Sequence, residues 1–169
     1  LTDKDIHLAV KKIALKDKSG LQLRNLRFKL DADQQQALLR DFSIELPHSQ
    51  LQFDDLRATY RIENKHIVKP TLQFQGGIKP SVITLADIAC FVPELRKFKD
   101  ALQLHLQFSG TSTSARIHNL EFKTQSGSLM LRANGRVSDW DRLLRWKANI
   151  SALKISGDGI GEVSRNLGK

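Results

Sequence analysis

One cysteine, one methionine and one tyrosine in 169 residues leave little room for several kinds of chemistry. A lone Cys90 cannot close an intramolecular disulfide, so the fold must rest on its core; this suits the cytoplasm and equally a periplasmic protein without disulfides. No apolar run approaches the roughly 18 residues that a membrane-spanning helix needs, and Leu1 to Asp5 lack the basic and apolar regions of a signal peptide. Starting at Leu1 rather than a methionine, the sequence reads as a segment of a longer protein, whose export signal or anchor is expected outside it.

Catalytic signatures are missing too. His7, His48, His66, His105 and His118 show none of the short paired spacings of zinc sites, although His105 and His118 could meet across a hairpin. Asp54 with Asp55, and Asp139 with Asp141, lie beside expected turns or helix starts, where carboxylates satisfy free backbone N–H groups. There is no nucleophile elbow or phosphate loop, and the run Gly157-Asp158-Gly159-Ile160-Gly161 has Glu162 where a dinucleotide fingerprint needs its third glycine. The expectation is a non-enzymatic chain with no catalytic residues, no metal and no cofactor.

The formal net charge is +9, yet bases such as Lys11, Lys12, Arg24, Arg27, Lys29, Arg57 and Arg61 alternate with apolar residues. That is the pattern of a solvated sheet face, so a nucleic-acid partner is not expected.

What the sequence has in quantity is period-two alternation, the signature of strands with one apolar face. It runs through Ile6, Leu8, Val10; through Leu21, Leu23 and then Leu26, Phe28, Leu30; and through Phe42, Ile44, Leu46. It continues in Leu51, Phe53 and then Leu56, Ala58, Tyr60, Ile62, turns at Asn64-Lys65, and returns over 67–74. Later strands are marked by Leu102, Leu104, Leu106, Phe108; by Ile117 and then Leu120, Phe122; by Leu129, Leu131, Ala133; and by Trp146, Ala148, Ile150 and then Leu153, Ile155. The one-residue slips at Leu23/Leu26, Phe53/Leu56, Ile117/Leu120 and Ile150/Leu153 predict bulges, and hence bent strands. An antiparallel meander is the simplest topology. Asp33–Arg40 is either a loop or a short helix, and Ser138–Arg145 suits one or two helical turns.

Near Thr84 the period changes. Leu85, Ile88, Val92 and Leu95 follow helical spacing, and Thr84 three residues before Asp87 resembles a capping box, giving a helix over about 84–98, kinked at Pro93, with Phe91 and Leu95 on its packing face. A second short helix is expected over about 158–167. Ile83, Thr84, Ile88, Phe91 and Leu95 match Ile155, Ser156, Ile160, Val163 and Leu167 in character, which suggests an internal repeat: one unit over 1–100, a shorter one over 101–169, together one continuous fragment.

The run from Pro80 to Leu95, with its Thr84-Leu85-Ala86-Asp87-Ile88 core, resembles a recurring element of the TamB-like and AsmA-like cell-envelope proteins, especially the Bacteroidota versions. Phase-shifted strands such as Gly20 to Phe28 are similar to that family's hairpin repeats. The resemblance implies a long curved antiparallel sheet whose apolar inner face forms a groove, in a periplasmic protein anchored in the inner membrane, with phospholipid transport or outer-membrane assembly as its role. Its implied partners are phospholipid acyl chains, neighbouring repeats of the same chain and an outer-membrane assembly partner. The chain departs from the pattern at Gly157, Gly159 and Gly161 and at Arg165, which stands where the first copy has Pro93.

The expected fold is therefore mainly β, a curved meander with one or two short helices. The inner-face candidates are Leu21, Leu23, Phe28, Phe53, Leu72, Phe74, Leu104, Leu106 and Phe122. The residues alone leave two architectures open, an acyl-lined groove and a closed β-sandwich scaffold or adhesion or carbohydrate-binding module.

Overall fold

The computed structural model describes residues 5–16, 18, 20–89, 93, 96 and 100–156. They form one long antiparallel meander of β1 (Ile6–Lys16), β2 (Gln22–Ala32), β3 (Gln36–Glu45), β4 (Gln50–Gln52), β5 (Leu56–Thr59), β8 (Gln73–Thr84), β9 (Ala101–Thr111), β10 (Ser114–Thr124), β11 (Leu129–Ser138) and β12 (Arg145–Ile155). Strands β4 and β5 are two halves of one broken path, each pairing with β3 on one side and β8 on the other. A small hairpin, β6 (Ile62–Glu63) and β7 (His66–Ile67), stands apart from the main sheet. Its turn residues, Asn64 and Lys65, have φ of 52° and 65°, the left-handed pair that matches the twist of a two-residue hairpin.

Where the apolar period slips, the structure places an extra residue. Leu23 and Leu26 of β2 face Leu15 and Ile13 of β1, so β2 spends one residue more. Ile117 and Leu120 of β10 face Gly135 and Ala133, and Ile150 and Ala152 of β12 face adjacent residues of β11. At Phe53/Leu56 the strand breaks into β4 and β5. Three further slips occur between Val10 and Ile13, between Arg40 and Ser43, and between Ile78 and Ser81. Asp41 takes a φ of 52° at the second, and Pro80 occupies the third, where a missing N–H disturbs no ladder bond.

Traced through the register, these irregularities form one line across the sheet. Val10/Ile13 faces Phe28/Leu26; at the break between β4 and β5, Phe53 donates its N–H to Phe42 O and bridges Ile78; Ile78/Ser81 faces Leu106/Leu104, and the line continues through Ile117/Leu120 to Ile150/Ala152. Bulges bend a strand and increase its twist, so aligned bulges bend the sheet as a unit. Because each slip also resets the alternation, apolar side chains before and after the line keep to one face.

Among the described residues no second sheet covers that face. Among the described residues the only buried hydrophobic ones are Leu46, Ala89 and Leu102, and none of their large side chains is fully buried. A closed sandwich with a dry core is therefore not what these residues build. The first unit (1–100) and the second (101–169) share one sheet, since β8 pairs with β9 from Gln73↔Thr111 to Thr84↔Ala101.

The helical expectations fare differently. Leu85–Ile88 is a 3-10 helix beginning after Thr84, Pro93 and Arg96 also take 3-10 conformation, and no described helix reaches seven residues. Phe91, Leu95, Cys90 and the segment 158–167 lie outside the described residues. The capping box does not form: the Thr84 side chain makes no cap bond, because Thr84 Oγ1 donates to His48 O at 3.1 Å and Asp87 is drawn to His48 and Ser49 instead. Ser138–Arg145 is a turn without helix; Asp139 has a φ of 57°, a conformation that an α-helix start excludes. Asp33–Arg40 resolves into a turn and then β3, with Asp33 Oδ1 accepting the N–H groups of Gln35 and Gln36 at 2.7 and 2.8 Å.

Candidate functional site: the apolar face

Seven inner-face candidates fall into adjoining cross-strand ranks. Leu23 faces Leu15, and Phe28 faces Val10. Phe53 bridges Ile78, Phe74 faces Ala58 and Gly110, and Leu104 and Leu106 face Phe122 and Leu120. Leu72 precedes Phe74 by one alternation step. The ninth, Leu21, stands just before β2, in the same alternation as Leu23. All nine are half-buried rather than enclosed.

Phe42 completes the site and was not among the candidates. It stacks on Phe53 with ring centroids 4.3 Å apart and meets Phe28 edge-on at 6.4 Å, making an aromatic cluster on the line of bulges. Its signal in the sequence is real but follows the Asp41 slip, which hides its alignment with Ala37 and Leu39 of the same strand. Phe108, Leu120, Leu131 and Leu153 extend the face in the same way, as Phe122↔Leu131↔Leu153 shows.

Two glycines tighten the face between β8 and β9. Gly110 lies opposite Phe74 and Gly76 opposite Phe108; a Cβ at Gly110 would come within 2.5 Å of Phe74 Cζ, and one at Gly76 within 2.0 Å of Leu56 Cδ2. Each glycine gives an aromatic ring room to lie over the backbone, and the two rings meet at 6.2 Å. Such cross-strand pairs stabilise a sheet that lacks a covering layer.

The edges are the most open part. Leu15 is 57% exposed in β1, and Trp146 and Ile150 are 74% and 62% exposed in β12. Among the described residues each edge strand has a neighbour on one side alone, so it presents apolar side chains and a backbone edge together, the combination that recruits further strands.

The opposite face is polar and carries the basic residues. Asp31 accepts hydrogen bonds from His7 (2.7 Å) and Arg40, and these hold its carboxyl below the usual carboxylate range. Lys29 pairs with Asp41 at 2.7 Å and does the same there. His118 and His105 do not join: His118 Nε2 lies 2.6 Å from Ser109 Oγ, and His105 contacts Asn119. No group of three metal-ligating side chains occurs among the described residues. Asp54 and Asp55 sit at the β4/β5 break, where the Asp54 N–H donates to Gly77 O. Asp139 faces Arg145 at 3.7 Å.

The Asp87 carboxylate is drawn out of solvent, its side chain 4% exposed. It accepts the His48 N–H at 2.8 Å, His48 Nδ1 at 3.0 Å and the Ser49 hydroxyl at 2.6 Å. Burial pushes its pKa up, but the bonds from Ser49 and His48 outweigh that and hold it below the ordinary value. Serine, histidine and aspartate thus meet here, but both partners address the carboxylate and the serine hydroxyl is spent on it. The arrangement pins the 3-10 helix to the turn after β3 and offers no activated nucleophile.

In comparison with known proteins, the chain matches no family model, no curated protein and no solved structure.

Proposed function

We propose that the apolar face binds long acyl chains, as one segment of a lipid-carrying or envelope-assembling protein in which no residue performs chemistry. The observation that carries this reading is the continuity of the face: apolar residues in register across the whole meander, half-buried, with no covering layer among the described residues. Antiparallel sheets commonly leave one face to water, but that face is then polar. Here the uncovered face is the apolar one, which asks for an apolar occupant.

Acyl chains suit it because their binding needs no directional bonds. Each methylene removed from water contributes roughly 0.8 kcal/mol, so a smooth surface can hold a tail and still let it slide. The TamB-like and AsmA-like resemblance of Pro80–Leu95 points the same way and adds a periplasmic setting, an inner-membrane anchor outside this segment and an outer-membrane assembly partner. The outer edges of β1 and β12 suit neighbouring repeats as further partners. The adhesion or carbohydrate reading finds less support: Trp140, Trp146 and Tyr60 are scattered over a turn, an edge strand and the end of β5, and make no aromatic platform.

The test is native mass spectrometry of the protein purified from bacterial membranes and from cytosol, followed by organic extraction. Stoichiometric phospholipid, lost on Leu104→Asp with Leu106→Asp in a variant that keeps its β-sheet circular dichroism, is expected. A folded, lipid-free monomer that also refuses added lipid would overturn the proposal.

A further inference from the structure

The polar face holds a row of residues that the acyl reading does not use. Arg57 of β5 faces Gln75, Gln75 faces Ser109, Ser109 faces Arg116, Arg116 faces Arg136, and Arg136 faces Lys147. The row crosses six strands, and its last three members are cations on three adjacent strands. All four basic residues are exposed.

Like charges directly opposite each other across a ladder are destabilising. Three other bases on this face meet an acid: Arg132 lies 3.1 Å from Glu121, Arg145 3.7 Å from Asp139 and Lys29 2.7 Å from Asp41. Among the described residues no carboxylate pairs with Arg57, Arg116, Arg136 or Lys147. The row also lines two adjoining depressions of about 500 and 420 Å³ that share Arg116, His118 and Arg136. Neutral donors accompany the charges. Ser109 and His118 lie together at 2.6 Å, and the Asn149 amide donates to Asn134 at 3.2 Å beside Lys147.

From this geometry we infer that the row from Arg116 to Lys147, extended by Ser109 and Arg57, binds a ligand bearing several phosphate groups. Guanidinium forks match phosphate oxygens two at a time, and a serine hydroxyl and a lysine add single contacts. Strands lie roughly 4.8 Å apart, so Arg116 to Lys147 spans about 10 Å, the reach of two or three linked phosphates rather than one. The phosphate is either a free anion or the headgroup layer of an anionic membrane. In both cases it neutralises a repulsion that the sheet otherwise sustains.

Titration calorimetry with inorganic tripolyphosphate tests the site, and co-sedimentation with phosphatidylglycerol-containing vesicles, against pure phosphatidylcholine vesicles, separates the sources. Saturable tripolyphosphate binding is expected, weakened at least tenfold by Arg116→Gln with Arg136→Gln and little changed by Lys12→Gln with Arg24→Gln, which removes the same charge elsewhere. Without ligand the first double variant should melt no lower than the wild type, and tripolyphosphate should raise the Tm of the wild type and of the Lys12→Gln, Arg24→Gln variant far more than that of the first double variant. Vesicle binding that tripolyphosphate competes away assigns a headgroup, and tripolyphosphate binding without vesicle binding assigns a free anion. Equal weakening by the two double variants would overturn the site in favour of net charge. Absence of tripolyphosphate and vesicle binding would also overturn it, as would binding confined to a single-stranded oligonucleotide.

Discussion

Asp87 shows how one side chain fixes a junction in a sheet with little core. Its carboxylate takes three donors from the turn at His48 and Ser49, and Ser49 Oγ accepts the Thr84 N–H in turn at 2.8 Å. Replacing it by asparagine keeps the shape but turns one oxygen into an N–H₂ group facing donors. Of these donors the Ser49 hydroxyl is buried, while His48 is exposed and can turn to water; leaving one buried donor unsatisfied costs roughly 1–3 kcal/mol, so Asp87→Asn should lower stability by that order in urea denaturation at neutral pH. The pH dependence has a definite sign. Because the folded pKa is lowered from 3.8, the carboxylate's contribution is complete above the ordinary value and is lost as the pH falls through the lower, folded one. The gap between wild type and Asp87→Asn should therefore close on acidification below about pH 4; a gap that stays constant with pH would mean that the charge contributes nothing.

At the scale of the element, the extra residues in the strands matter as much as the apolar ones. In β10, His118 and Asn119 lie between Ile117 and Leu120, and the slip keeps Ile117 and Phe122 on one face. Shifting a strand by one residue sends its side chains to the other face. Deleting His118 should thus turn either Ala115 and Ile117 or Leu120 and Phe122 to the polar face and lower the Tm by well over the effect of His118→Ala, which removes the side chain and keeps the slip. Equal melting of the two variants would show that the bulge has no role in the register. The four slips visible in the sequence were legible because strong apolar residues flank them. Those at Asp41 and Lys79-Pro80 were not, since the alternation there passes through Ala37 or Ser81 and carries little contrast; the slip at Lys11-Lys12 lies between Val10 and Ile13 and was missed although strong apolar residues flank it. The nine candidate residues were legible for the same reason; Phe42 was visible in its alternation with Ile44 and Leu46, but the slip at Asp41 hid that it shares a face with Ala37 and Leu39. Near Thr84 the described part of the expected helix, Leu85–Ile88, is a single 3-10 turn, and the bonds of Asp87 to His48 and Ser49 are tertiary contacts that no local pattern records.

For the whole molecule, the two faces make separable demands on a ligand, and chain length distinguishes them. Association costs roughly 4–15 kcal/mol before any contact is counted, while a methylene returns about 0.8 kcal/mol. A six-carbon tail, worth about 5 kcal/mol if wholly buried, should show little or no binding. A sixteen-carbon tail, worth about 13 kcal/mol, exceeds most of that range. Across lysophospholipids of one headgroup, each added methylene should tighten Kd by about two- to fourfold until the tail outgrows the apolar face, measured by displacement of a fluorescent fatty acid. Raising the salt should leave this slope unchanged, because burial of apolar surface carries no charge, whereas screening weakens exposed charge pairs. An affinity indifferent to tail length but steeply weakened by salt would locate the contact on the Arg116–Arg136–Lys147 row instead, and the apolar face would then be a surface that other strands of protein cover.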